Sequence, residues 1–462
     1  MSLSTLYLLA AAIALPLFAD VSGTVTDATG TPIHAARVVL RDGNALHETA
    51  TDAAGRFHFA GDFPDGATLT VEYAALSPVT RRLGSTRSLD VVIDTMPLAE
   101  QIVVRGVRPG TRSSTAMKTD APLRETPQSV TVITEDLIDD QKMQAMEDVV
   151  LYVPGVVMAQ GEGNRDAVVF RGNASTADFF VDGFRDDVQY FRDLYNVERV
   201  EAITGPNAMI FGRGGAGGVL NRVTRRAGTE TFEVDLQVGS FENRRITADF
   251  GRSFTDAVAS RITAVYEDSD TYRDGVFVER YGINPTAVFS LGSADVHVAY
   301  ELFHDERTAD RGIPSHGGRP VTTDVSQFFG DPDHSRSDAT VHRLSSTAEY
   351  RLGATDLRGR ISFADYDKFY QNIFPGSSVS EAGNVNLSAY NNATDRRNLF
   401  GQVDATRLFS AGTIDHTVTA GVEIGRQATD NFRQTGYFGL AGGEQTSLSV
   451  PVASPTTNVP VA

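Results

Sequence analysis

The chain has 462 residues, room for several domains, with 41 basic against 59 acidic side chains and a formal charge of -18. That balance argues against a nucleic-acid partner. Cysteine is absent, which excludes disulfides, thiolate zinc sites and a cysteine nucleophile.

In chain order, the first feature is "LYLLAAAIALPLFA", Leu6 to Ala19. This apolar run is too short to span a bilayer and has the length of a secretory h-region. Residues 1–19 are therefore expected to be a signal peptide cleaved after Ala19, although Met1–Thr5 carries no Lys or Arg. No later run approaches the length of a membrane helix, and the mean hydropathy is negative. Any membrane-spanning part is expected to be β, since only helices and closed barrels satisfy the backbone in lipid.

Residues 20–97 read as a small β-sandwich. "VSGTVTDATGTPIHAARVVL" gives a strand, a turn at Asp27–Gly30 and a strand after Pro32. "ETATDAAGRFHFAG" predicts a hairpin turning between Asp52 and Gly55, with Phe57 and Phe59 on one face. "ATLTVEYAAL" and "LDVVIDTM" supply further strands. The segment resembles the transthyretin-like regulatory domain of carboxypeptidases, which also precedes some outer-membrane receptors. His34, His47 and His58 have no metal-ligand spacing.

Residues 98–116 form a linker with one β-prone patch, Ile102–Val104. On composition alone that patch is an ordinary linker triplet. Residues 117–228 read as mixed α/β. Val130–Thr134 is a β-branched strand, Thr134 is placed to cap a helix begun by Glu135 and Asp136, and Pro154-Gly155 stops a second helix. "DAVVFRG", "DFFVDG" and "ERVEAITG" are short strands.

Gly212, Gly214 and Gly217 then spell G-x-G-x-x-G, with Asp235 eighteen residues further on. This is the spacing of a dinucleotide-binding loop. Its context fails, because "VLNRVTRRA" is too short for a crossover helix and reads as a strand. Glycines such as Gly212, Gly217 and Gly218 instead mark positive φ or close backbone approach, here expected against a barrel interior.

From 229 to 462 apolar and polar residues alternate. Val296, Val298, Tyr300 and Leu302 oppose Asp295, His297 and Glu301, and Ile414, Val418, Val422 and Ile424 oppose Asp415, Thr417 and Glu423. Nine strands are predicted, near 231–240, 243–254, 256–268, 281–292, 294–303, 342–352, 356–367, 397–410 and 413–424. Short turns such as "LGSAD" and "LGATD" alternate with long loops at Asp268–Arg280, Asp305–Asp338 and Lys368–Arg396. That asymmetry is the outer-membrane barrel pattern. Nine strands leave an odd count and open edges, and "SLSVPVASPTTNVPVA" reads as loop. The chain is thus expected to be the N-terminal portion of a longer protein that does not close a pore alone.

"ETPQSVTVIT", "DVVLYVPGV", "VFRG", "FFVDG" and "NVERVEAITGPNAMIFGRGGAGGVLNRVTRRA" together resemble the plug of TonB-dependent outer-membrane receptors. The wording is most similar to the siderophore-receptor branch, catecholate and ferrichrome types. The resemblance implies a mainly β fold: the sandwich, a mixed α/β plug, then the first part of a transmembrane antiparallel β-barrel of about 22 strands. It implies import of a ferric siderophore and no enzymatic activity. It implies no cofactor and no protein-bound metal, since the chelator holds the iron. The implied partners are the siderophore, outer-membrane lipid and the energising protein TonB, which pairs with a TonB box matched here by Gln101, Ile102, Val103, Val104, Arg105 and Gly106. The family often has Thr where Arg105 stands. Ferrichrome-receptor members contact ligand through the arginine matching Arg171. The plug apices correspond to 160–166 and 185–192, where Arg165, Arg185, Tyr190 and Phe191 are expected to meet an anionic aromatic chelate. For Arg171, Glu198, Arg199 and Glu201 the other reading is an ion-pair network holding plug to barrel wall. Another ligand, such as a glycan, a cobalamin or a different chelate, and an added periplasmic signalling role for the front domain, are the alternatives.

Overall fold

The computed structural model describes residues 20–93 apart from 28–29, 44, 62, 74–77 and 85, and residues 129–461 apart from 206–210, 213–216, 413, 440–444 and 460. The expected signal peptide and the 101–106 box lie outside these residues. The chain divides into two compact units, residues 1–111 and 112–462.

The first unit is a two-layer sandwich. One sheet runs β4 (Arg56–Phe59), β1 (Val21–Asp27), β7 (Ser88–Ile93). The other runs β3 (Ala45–Ala50), β2 (Arg37–Asp42), β5 (Thr68–Glu72), β6 (Val79–Arg82). Alternation fills the space between them with Val25, Val38, Leu40, Phe57, Phe59 and Leu69. The turn at Asp52 forms, its carboxylate accepting from the N–H groups of Ala54 and Arg56 at 2.8 Å each. The flanking strands are not the expected hairpin, because β3 pairs with β2 while β4 pairs with β1 in the opposite sheet. The turn crosses the core, so Phe57 and Phe59 point into it.

The second unit begins with the plug. Its five-stranded sheet has the order β13 (Phe184–Arg185), β12 (Phe179–Val181), β15 (Gly218–Thr224), β14 (Val197–Thr204), β8 (Ser129–Thr134). A second sheet joins β9 (Val156–Ala159), β10 (Ala167–Phe170) and β11 (Asn173–Ser175). Thr134 caps the helix Glu135–Asp140 by accepting from the Leu137 N–H. The second helix, Met146–Val150, stops four residues before Pro154.

The wall is an antiparallel meander of β16 (Thr231–Val238), β17 (Arg244–Thr255), β18 (Val258–Asp270), β19 (Phe277–Leu291), β20 (Ala294–Thr308), β23 (Arg336–Leu352), β24 (Thr355–Pro375), β25 (Asn384–Ala411) and β26 (Ile414–Thr435). All nine predicted strands are present. Two-residue links at 256–257, 292–293 and 353–354 lie at one end. At the other end, 309–335 carries the ribbon β21 (Ser315–His316) and β22 (Arg319–Pro320). The expected loop Lys368–Arg396 is mostly strand. The ladder continues to Pro375↔Leu387, with Val385, Leu387 and Ala389 buried in alternation with Asn384, Asn386 and Ser388. Leu448–Pro451, expected to be loop, forms β27 on β25.

Phe232, Leu236, Ile262, Phe289, Leu344, Ile361 and Val422 face outward and exposed, while Arg261, Glu267, Arg280, Glu301 and Arg343 face inward and are buried against the plug. An apolar outer face this extensive suits lipid rather than water.

Candidate ligand cleft and plug–barrel interface

The glycine-rich stretch resolves into two physical cases. Gly212 has φ +81 with open space around its missing Cβ, so it serves backbone conformation. A Cβ on Gly217 would sit 2.5 Å from Phe170 Cβ, and one on Gly218 2.6 Å from the Ile203 carbonyl oxygen. These contacts are inside the plug, with Phe170 at the end of β10 and Ile203 of β14, and not against the barrel interior as expected. Beyond them β15 is buried along its whole length, which accounts for strand rather than crossover helix.

The apex loop 160–166 makes a single 3-10 turn at Gly161–Gly163. It reaches the wall near the long connections. Tyr370 Oη donates to the Glu162 carbonyl at 3.0 Å and Tyr390 Oη to its carboxylate at 2.9 Å. Arg165 lies in this loop and donates to Glu162 and Asn164. Between the apex and β24–β26 opens a cleft of about 310 Å³, lined by Glu162, Lys368, Tyr370, Tyr390, Arg396 and Arg433 among others. Its charged and aromatic barrel side chains come from strand extensions that resemble loop in sequence.

The other expected ligand residues separate. Phe191 lies under the Arg307 guanidinium, 3.9 Å from its ring centre. Arg185 stands over Phe180 at 5.2 Å and donates to the Ala177 carbonyl. Tyr190 is not an apex group. It is buried in the apolar contact between plug and wall with Phe303, Val341 and Tyr366. Its hydroxyl donates to Asp186 and accepts from Arg222. Burial and the Asp186 charge push the phenol up. Arg171 sits in an exposed turn at φ +47. Since Phe170 pairs with Val156 and Ala167 with Ala159, that turn is at the opposite end of the ladder from the apex.

Arg199 donates to Glu198 and Glu201, and fully buried Glu201 accepts from Asn221 of β15. These bonds tie the plug sheet together. Bonds to the wall come from residues that sequence spacing did not single out. Asp193 accepts two bonds from Arg245 of β17, each 2.8 Å, and one from Arg280 of β19 at 2.9 Å. Arg225 reaches Asp249, and Asp187 accepts from Arg396 at 2.7 Å.

Deeper in the plug, Arg192 has a fully buried side chain and lies between Asp186 and Asp166. Burial opposes the Asp186 charge, but Arg192 and Arg222 outweigh it and hold that carboxyl well below the usual range. Burial wins at Asp166, where Arg192 offsets it only in part and the value is raised to about 6. The same cation thus serves one aspartate well and the other poorly.

No metal-ligand cluster was expected from spacing, yet ladder pairing brings His304, Glu306 and Asp338 together. Both carboxylates are already bonded to Arg336, at 3.0 and 2.6 Å. The Arg336 guanidinium therefore already meets the charge of both carboxylates.

Residues 122–219 match the TonB-dependent receptor plug domain, and residues 20–94 the carboxypeptidase regulatory-like domain. The catecholate siderophore receptor Fiu of Escherichia coli strain K12 is 29% identical over 350 residues, 68% of this chain and 46% of that protein. The probable TonB-dependent siderophore receptor PiuA of Acinetobacter baumannii is 28% identical over 369 residues, 72% of this chain and 49% of its own. The chain thus spans about half the length of the curated relatives it matches. Among solved structures, that of PiuA from Acinetobacter baumannii superposes with a TM-score of 0.69 at 23% identity, covering 76% of this chain and 54% of that one. The open form of Fiu from E. coli K12 gives 0.65 at 25%, covering 74% and 54%. The chain thus carries a TonB-dependent receptor plug domain, and its plug and barrel strands are similar to those of TonB-dependent siderophore receptors.

Proposed function

We propose that the protein is an outer-membrane receptor that imports a ferric siderophore through its plugged barrel, using energy delivered by TonB. The protein binds and gates, and the chelator supplies the ligands to iron, which is cargo rather than cofactor. The observation that carries this reading is the cleft at the apex, where Lys368, Arg396 and Arg433 stand beside Tyr370 and Tyr390. Arginine presents a forked donor set to oxygen anions, and aromatic rings stack on catechols. Gln101–Gly106 is the proposed TonB contact, by strand addition. The transport cycle then places the N-terminal sandwich in the periplasm.

Growth under iron limitation on a panel of ferric siderophores, with and without the intact gene, tests the reading. Growth on one or more ferric catecholates is expected to require the gene and to fail on deletion of residues 101–106. Gene-independent growth on every siderophore, or full uptake by the deletion, would overturn it.

A further inference from the structure

At the tip of the apex loop one carboxylate is held by three donors. Tyr390 Oη and Arg165 Nη1 donate to Glu162 Oε2 at 2.9 and 3.1 Å, and Arg311 Nη2 lies 3.3 Å from Oε1. Arg311 is itself fixed. Its guanidinium stacks on Phe374 at 3.5 Å and donates to Tyr370 and Tyr390 at 3.2 and 2.8 Å. The cradle is therefore built from the barrel rim and from the plug, and converges on a single anion.

The anion's own backbone is held in an unfavourable state. Glu162 has φ 67 and ψ 17, the left-handed region that a residue with a Cβ rarely adopts. Next to it, Gly163 packs so closely that a Cβ would lie 2.1 Å from the Asp310 carbonyl oxygen. The loop is thus pressed onto the rim with strain that surrounding contacts must hold. The Glu162 side chain remains 40% exposed, at the mouth of the cleft.

Two guanidiniums and a phenol around one carboxylate form the environment that the oxygens of an anionic chelate require. We infer that Glu162 is a built-in stand-in for the ligand: the empty receptor fills the Arg165–Arg311–Tyr390 cradle with its own carboxylate, and an anionic ferric chelate binds by displacing it. This rests on the transport reading above and adds how occupancy is sensed. Tyr390 and Arg311 hold the loop to the rim through the same carboxylate that the ligand displaces. Binding therefore releases the side-chain part of the apex's hold on the wall, leaving the Tyr370 bond to the Glu162 carbonyl. A neutral chelate does not compete for the cradle and does not trigger that release.

The test uses the full-length receptor in detergent and two probes carrying radiolabelled iron, a triply anionic ferric tris-catecholate and a neutral ferric tris-hydroxamate. Glu162→Gln keeps the shape and removes the charge. It is expected to tighten tris-catecholate binding on the order of tenfold, the worth of one charge-assisted contact, and to leave tris-hydroxamate binding unchanged. Glu162→Gly, which suits the backbone conformation, should do the same and guards against a folding defect in the first variant. Unchanged or weaker tris-catecholate binding in both variants overturns the inference and leaves the transport reading intact. Equal tightening of both probes also overturns it. If no protein binds the tris-catecholate, the inference fails, while the transport reading still stands or falls on the siderophore panel.

Discussion

Replacing Asp193 with asparagine removes one charge from the seam between plug and wall. The carboxylate is 1% exposed. It accepts three guanidinium bonds, two from Arg245 and one from Arg280, and a fourth from the Tyr195 N–H. An amide keeps one oxygen and turns two N–H donors toward cations. Two charge-assisted bonds are therefore lost, each worth about 1.5–3 kcal/mol. The loss is partly offset because Glu267 still pairs with Arg245 at 2.7 Å and Arg280 at 3.3 Å. A net cost of about 3 kcal/mol follows, at the lower end for breaking a buried pair. Hydrogen exchange on the full-length receptor in detergent measures it site by site. Amides of β14 and β15 should exchange on the order of a hundredfold faster, while those of β24 and β25 stay as in the wild type. Unchanged protection in β14 and β15 would show that the Asp193 pairs do not hold the plug, and the reasoning would fall.

Three further substitutions probe other parts of the plug. Gly217→Ala places a Cβ 2.5 Å from Phe170 Cβ and should cost about 1–3 kcal/mol by overpacking. Gly212→Ala meets no atom and should cost about 1 kcal/mol through φ +81 alone, so thermal unfolding should rank Gly217→Ala the lower. Asp166→Asn addresses pH. The Asp166 carboxyl is raised from 3.8 to about 6, so between those values the folded protein binds more protons than the unfolded one. Its ionised form destabilises the fold at neutral pH, and that burden is relieved as pH falls through the folded value. The wild type should therefore gain about 1 kcal/mol on Asp166→Asn between about pH 7 and pH 5. A loss over that range would reverse the assignment.

The barrel strands were legible because alternation with period two survives wherever one face meets lipid and the other meets the plug. Val296, Val298 and Tyr300 against Glu301 show it within a few residues. The outer ends of β24 and β25 were not legible as strand. There Tyr370, Ile373, Leu387 and Tyr390 are buried, but they are interleaved with Asn, Gln, Ser, Gly and Pro, which read as loop in sequence, so the register identifies these ends as strand. Partner choice was also hidden. The turn at Asp52 was visible, but whether its flanks share a sheet depends on β1 and β2, far away in sequence. Chain position located Tyr190 near an apex without revealing its depth, which is set by Phe303 and Tyr366 from the wall. Asp193 attracted no notice for the same reason, since Arg245 and Arg280 follow it by 52 and 87 residues. Gly217 and Gly218 are close-packed, but the surfaces they meet, Phe170 and Ile203, are in the plug itself, and Gly212 serves a positive φ instead.

The seam between plug and wall joins Asp193, Arg225 and Asp187 to Arg245, Asp249 and Arg396. The free energy of such pairs is a small difference between attraction and dehydration. Water admitted along the seam restores hydration to both faces as they part. An oily joint would resist separation in proportion to the apolar area uncovered, and its exposed halves would then stick to anything nearby. Where ion pairs form it, this joint regains hydration as it parts and can re-form the same pairs, while the apolar contact of Tyr190 and Tyr195 with Phe303, Val341 and Tyr366 supplies the part that resists.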